Sequence, residues 1–240
     1  MGSLESILVL PVLTGEDNMD SYHRTQEFSG LVRLFHWVRA LAIFALMATG
    51  FYIAYPFLAP HSSVYKHMDL LQAYIRSTHT MLGFILIAIC LFRFYLFFFD
   101  QKSHRERIAA KNVLSIRAWI RQFRVYFWIA KPIHTKGAYN PIQFVAYFTL
   151  CVLLILIVLS GLVLYYNVYH LGLGGVLEPL LKWFEVLCGG LSNVRYLHHL
   201  ATWGICLFIP IHIYMVVFHS IKFPDGGADV MVSGIRYVKD

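Results

Sequence analysis

The chain has 240 residues, of which 58% are hydrophobic and only 14% charged, with a mean hydropathy of +0.61. A soluble domain carries nearer 25% charged residues, so a water-soluble globular class is excluded and a membrane class follows. The formal charge of +7 does not indicate nucleic acid, because the basic residues are concentrated between apolar stretches, where they report topology.

Residues 1–20 contain one short apolar run broken by Pro11, without the basic start and small-residue cleavage site of a signal peptide. They are read as a disordered or artefactual extension, with Met19 as an alternative start. The remainder, 21–240, shows no repeat of 20–50 residues and no internal linker, so one domain is expected.

The first apolar stretch, about Leu34–Tyr55, opens with Arg33-Leu-Phe-His36. The second, about His79–Phe99, opens with Arg76-Ser-Thr-His79. A span needs roughly 20 predominantly apolar residues, and both qualify. Between the second and third stretches, Asp100–Asn140 carries nine basic residues: Lys102, Arg105, Arg107, Lys111, Arg117, Arg121, Arg124, Lys131 and Lys136. Only two lie between Tyr55 and Thr78, and two between Asn167 and Tyr196. The positive-inside rule therefore makes this loop, and both termini, cytoplasmic. Within it, Arg105–Ile129 has a loosely helical alternation of apolar and basic residues beside Trp119, Phe127 and Trp128. That pattern suits a helix lying on anionic lipid, or one packed on the end of the bundle.

The third stretch, about Ile142–Tyr166, opens with Asn140-Pro141-Ile-Gln143. The amides of Asn140 and Gln143 can hydrogen-bond a quinone carbonyl at the cytoplasmic end. Asn140 followed by proline equally fits a plain helix N-cap. The outer loop then contains Val176–Leu187, apolar but too short to span, with Glu178, Lys182 and Glu185. It either lies at the interface or docks a partner.

The fourth stretch, about Leu197–Phe218, holds His198, His199 and His212. His198 and His212 are fourteen residues apart, which puts them about 40° apart around a helix and about 21 Å apart along it. They share a face at two depths. His199 is turned about 140° from His212, so it is read as packed or interfacial, as is His219 beside Lys222. With four spans, His79 matches His198 in depth near the outer face, and His36 matches His212 near the inner face. Two imidazoles from different helices at one depth are what a six-coordinate haem requires. Three of the four histidines follow an arginine at i−3, namely Arg33, Arg76 and Arg195, which puts a guanidinium one turn nearer the surface, where it can pair with a haem propionate. The four cysteines, Cys90, Cys151, Cys188 and Cys206, show no C-x-x-C or C-x-x-C-H spacing, so a disulfide framework, an iron–sulfur site and covalent haem attachment are not indicated. The spans contain no Asp or Glu, which weighs against a histidine-based metal or proton transporter.

The expected architecture is an all-α integral membrane four-helix bundle, holding two non-covalent b haems, with an amphipathic cytoplasmic helix. The segments Arg33–Gly50 and Arg195–His212 resemble the first- and fourth-helix signatures of the cytochrome b subunit of membrane-bound nickel–iron uptake hydrogenases, and the likeness runs from about Tyr22 to the C-terminus. The resemblance implies a subunit of the bacterial cytoplasmic membrane whose partners are the iron–sulfur small subunit and the large subunit of a hydrogenase. It implies that electrons enter at the outer haem, cross to the inner one and reduce a membrane quinone, menaquinone or ubiquinone, with no hydrogen-activating site in this chain. Formate dehydrogenase cytochrome b subunits have similar architecture and are the alternative.

Overall fold

The computed structural model describes residues 22–58, 67–99, 115–127, 129, 141–222 and 229–239. Its elements in chain order are β1 (Tyr22–Gln26), α1 (Gly30–Ala54), α2 (His67–Phe99), α3 (Ile116–Tyr126), α4 (Pro141–Tyr166), α5 (Leu173–Leu187), α6 (Leu191–Lys222), α7 (Val230–Ser233) and β2 (Ile235–Lys239). Four helices, α1, α2, α4 and α6, are long and apolar enough to cross a membrane, and the chain is a multi-pass membrane protein. Side chains such as Leu41, Phe44, Ile155 and Leu207 stand exposed around the bundle, as a lipid-facing surface requires.

The four spans lie where hydropathy places them, but the helices outrun the apolar stretches. α2 begins at His67 rather than His79, and α6 at Leu191 rather than Leu197. Hydropathy locates the apolar slab. It is blind to helical turns made of Gln72, Arg76 or Asn193, which continue the backbone ladder into the polar layer. His79 is therefore well inside α2 and His198 well inside α6.

Packing divides the bundle into two pairs, α1 against α2 and α4 against α6, with lighter contact between α2 and α4. The first pair is antiparallel with a register visible at both ends: Phe35 meets Phe92 with ring centroids 4.6 Å apart, and Gly50 faces His79. At mid-depth all four spans contribute to one apolar cluster around Leu86, Leu154 and Ile205, with Ile43, Leu46, Met47, Leu153 and Ile209 packed on it. Pro210 lies inside α6, two residues before His212. It removes a backbone donor there and loosens the ladder.

The two ends of the bundle differ. At one end, β1 and β2 form an antiparallel ribbon from Tyr22↔Lys239 to Gln26↔Ile235, a small exception to the all-α expectation. Glu27 and Phe28 donate their N–H groups to the Gly234 carbonyl, at 2.9 and 3.4 Å, and Trp37 Nε1 donates to the Met231 carbonyl at 3.0 Å. The two terminal segments are thus clasped together on one side of the membrane, over the start of α1. Ser29 caps that start, its hydroxyl accepting from the N–H of Val32. α3 docks at this same end, with Val125 and Tyr126 packed on Met215 and Phe218 of α6. Its other face leaves Ile116, Ile120, Phe123 and Phe127 exposed beside Arg117, Arg121 and Arg124, so the helix both packs on the bundle and keeps an interfacial face. Residues 105–114 and Trp128 of the predicted amphipathic segment lie outside the described residues, as do residues 1–21.

At the opposite end α5 lies across α4 and α6, burying Phe184 against Val163, Tyr166 and Val194. The segment too short to span is a helix, seated through its Leu177–Leu181–Phe184 face. The α5–α6 turn uses Gly189 and Gly190, at φ 80° and 106°, a region closed to most side chains. One polar knot pins α5: the Tyr166 hydroxyl donates to Glu185, Lys182 Nζ reaches the same carboxylate at 3.1 Å, and Asn167 Nδ2 reaches it at 3.4 Å. The Tyr166 bond, followed by the Lys182 bond, holds the Glu185 carboxyl below the usual carboxylate range. A depressed carboxyl stabilises the fold above its unfolded pKa, and that stabilisation is lost as pH falls through the folded value. Tyr166→Phe should therefore cost about 1.5–3 kcal/mol at neutral pH. The gap in melting temperature from the parent, measured in detergent, should narrow below about pH 4.

Candidate functional site

The four histidines singled out by spacing meet in two pairs. His79 of α2 faces His198 of α6 with ring centroids 6.5 Å apart and planes at 66°. His36 of α1 faces His212 of α6 at 6.2 Å and 52°. α6 supplies one ring to each pair. The first pair lies toward the α5 end and the second toward the end of the terminal ribbon.

These separations can be compared with what a metal would require. A metal–imidazole bond is about 2 Å and the ring centroid lies about 1.2 Å beyond the nitrogen, so two imidazoles on opposite sides of one iron would have centroids about 6.4 Å apart. Both pairs lie close to that figure. Among the described residues, metal-ligating side chains do not gather in groups of three or more. A bare ion would be short of ligands, whereas a haem brings four of its own and needs only the axial two.

The ring nitrogens of the α5-end pair are oriented by the opposite helices. The Thr49 hydroxyl on α1 gives its proton to the Ala45 carbonyl at 2.8 Å, which leaves its oxygen to accept Nδ1–H of His79 at 2.9 Å. Ser160 on α4 repeats this arrangement: it donates to the Leu156 carbonyl at 2.6 Å and accepts Nδ1–H of His198 at 2.9 Å. Each hydroxyl residue is followed by a glycine against which the same ring rests. A Cβ at Gly50 would stand 3.3 Å from His79 Cε1, and one at Gly161 would stand 3.4 Å from His198 Cε1. With Nδ1 occupied as donor, Nε2 carries the lone pair that a metal needs.

The second pair has aromatic surroundings. The His212 ring stacks on Phe208 with centroids 5.4 Å apart and meets Tyr147 edge-on at 5.8 Å, while Trp37 meets His36 edge-on at 5.4 Å. Nδ1 of His212 is buried with no hydrogen-bond partner among the described residues. Arg39, one turn from His36, lies within electrostatic reach of both rings.

The other predicted residues are distributed as follows. Arg76 and Arg195 are exposed, one turn above His79 and His198 toward the α5 end. Arg33 is half-buried, and its guanidinium donates to the Val232 carbonyl of the terminal clasp. Gln143 is half-buried on the first turn of α4, one turn from Tyr147. Asn140 lies outside the described residues. His199 is exposed on α6 and is not brought to either pair. Sequence reasoning missed Thr49, Ser160, Gly50, Gly161 and Arg39. For Arg39 a signal existed: an arginine well inside a span with no carboxylate in any span is a functional suspect.

The chain was compared with known proteins. A family model described as prokaryotic cytochrome b561 matches residues 27–234. Among curated relatives, the "Probable Ni/Fe-hydrogenase B-type cytochrome subunit" of Rhodobacter capsulatus is 29% identical over 239 residues, covering 95% of this chain and 89% of the relative. The protein of the same name from Cupriavidus necator is 29% identical over 225 residues, covering 92% and 90%. The "Probable Ni/Fe-hydrogenase 1 B-type cytochrome subunit" of Escherichia coli K12 is 25% identical over 224 residues, covering 92% of each chain.

Proposed function

The chain belongs to the prokaryotic cytochrome b561 family and is a membrane cytochrome b of electron transfer; on that premise we propose that it holds two b haems and links a nickel–iron hydrogenase to a membrane quinone. The observation that carries this reading is the pair of histidine couples, at 6.5 and 6.2 Å, stacked along one helix. A haem iron supplies one-electron redox chemistry between its ferrous and ferric states. His79 and His198 would hold one haem, and His36 and His212 the other. Arg76 and Arg195 are placed for propionates at the α5 end, and Arg33 and Arg39 serve the opposite end.

The fourteen-residue spacing separates the two layers by about 21 Å along α6, with the apolar cluster around Leu86, Leu154 and Ile205 between them. That cluster excludes water from the middle of the bundle. The positive-inside rule puts the terminal ribbon, α3 and the His36/His212 layer on the cytoplasmic side of the bacterial inner membrane. α5 and the His79/His198 layer then face outward, where an iron–sulfur small subunit, with its large subunit, delivers electrons. The names of the curated relatives support a hydrogenase as the partner.

The quinone, menaquinone or ubiquinone, is assigned to the cytoplasmic end of α4. Gln143 lies there one turn from Tyr147, whose ring borders His212, and its amide can hydrogen-bond a quinone carbonyl. Gln143→Leu should lower the rate of quinone reduction about tenfold, the loss of one hydrogen bond of about 1.4 kcal/mol, with both haems retained. An unchanged steady-state rate with a soluble quinone analogue removes this residue from the site. The wider proposal is tested by affinity purification from native membranes. Hydrogenase subunits and hydrogen-dependent haem reduction are expected; formate dehydrogenase subunits and formate-dependent reduction would contradict it.

A further inference from the structure

The two histidine layers differ in one respect that the proposed electron route does not itself require. In the outer layer each imidazole places Nδ1 2.9 Å from a hydroxyl oxygen, His79 from Thr49 and His198 from Ser160. In the inner layer Nδ1 of His212 is buried and has no such acceptor among the described residues.

The outer arrangement is built twice. α1 and α4 belong to different helix pairs, yet each presents a hydroxyl residue followed by glycine, Thr49-Gly50 and Ser160-Gly161, to a histidine on its packing partner. In both copies the carbonyl four residues back, Ala45 or Leu156, can take the hydroxyl proton, and with the proton there the oxygen accepts from the ring. In both copies a second carbonyl, of Leu46 or Ile157, also faces the ring. In both copies the glycine lets the helix backbone approach until the hydroxyl reaches the nitrogen, since a Cβ would sit 3.3–3.4 Å from the ring carbon. Two unrelated stretches converging on one geometry indicate a selected device.

Its chemical consequence follows from ligand basicity. An imidazole that donates its distal N–H to a fixed acceptor gains electron density at Nε2 and becomes a stronger ligand. A stronger donor favours ferric over ferrous iron and lowers the reduction potential of the centre it ligates. We infer that Thr49 and Ser160 are positioning residues that lower the potential of the outer haem below that of the inner one, so that outer-to-inner electron transfer is downhill. This inference rests on the two-haem reading and adds to it the residues that set the order of the two potentials.

The test is a spectroelectrochemical titration of the purified cytochrome complex, parent and variants, with haem per chain measured on each sample. A His212→Ala background identifies the outer haem by leaving it alone. Thr49→Val and Ser160→Ala remove the hydroxyl oxygens that face Nδ1. Each variant should keep two haems, raise the potential of the outer haem and shift its low-spin ferric resonance, with the inner haem unmoved. Thr49→Ser and Ser160→Thr should restore the parent values. Loss of the outer haem alone in Thr49→Val, with retention in Thr49→Ser, also supports the role of the hydroxyl. Two retained haems with unmoved potentials, or a shift confined to the inner haem, overturn the inference. Fewer than two haems in the parent protein instead defeats the underlying reading.

Discussion

Replacing His198 by alanine is expected to remove one of two haems and to cut hydrogen-dependent quinone reduction by at least about a hundredfold, whereas His199→Ala keeps both haems. The two residues are neighbours in sequence, so the contrast isolates geometry from composition. His198 faces His79 across 6.5 Å and is held by Ser160; His199 is exposed on α6. The size of the effect follows from the missing layer: the remaining centre lies about 21 Å further along the helix, beyond an apolar cluster with no redox group. His212→Ala should likewise leave one haem, the outer one. Haem-to-protein ratios by alkaline pyridine spectroscopy, together with membrane quinone reduction, check all three variants. Full haem content in His198→Ala with loss in His199→Ala would mean that the ligand face has been misassigned.

The largest effect on stability is expected at Gly174, the second residue of α5. A Cβ there would overlap the carbonyl oxygen of Tyr169 and stand 2.8 Å from its carbonyl carbon. Those are backbone atoms of the preceding turn and cannot swing aside as the tip of a side chain can. Gly174→Ala must therefore displace either the turn or the helix, and with it the seating of Phe184, Leu177 and Leu181 on Val163, Tyr166 and Val194. The cost should exceed about 4 kcal/mol, the range reserved for such clashes. Gly83→Ala on α2 is the control: nothing lies within 4 Å of its Cβ position, and alanine is the better helix former by about 1 kcal/mol. Thermal melting in detergent should fall steeply for the first variant and hold or rise for the second. Protease sensitivity in the first should appear around α5.

Much of this was legible in the sequence because membrane physics is local. Four apolar stretches locate four spans, since the hydrocarbon slab sets a minimum length. The pairing of His79 with His198 and of His36 with His212 was readable because a fourteen-residue interval closes nearly four helical turns and four spans alternate direction. The partners of those rings were not readable. Thr49 is thirty residues from His79, and Ser160 thirty-eight from His198, and a serine or threonine in a span commonly bonds only its own helix. The ribbon joining Tyr22–Gln26 to Ile235–Lys239 was equally hidden, because its pairing spans nearly the whole chain and neither strand has a turn to announce it. Arg33 shows the limit of spacing arguments: its place one turn from His36 can be read from the sequence, but the Val232 carbonyl that engages it comes from the far end of the chain. Gly174 looks like a flexible loop residue in sequence; its constraint is a carbonyl five positions away.

The central claim is that one chain carries two bis-histidine haems, and haem counting tests it most directly. The purified protein, quantified against amino-acid analysis, should contain two haems b per chain, both low-spin in oxidised and reduced states as six-coordination by paired imidazoles requires. One haem per chain, or a high-spin five-coordinate centre in the intact protein, would contradict the account.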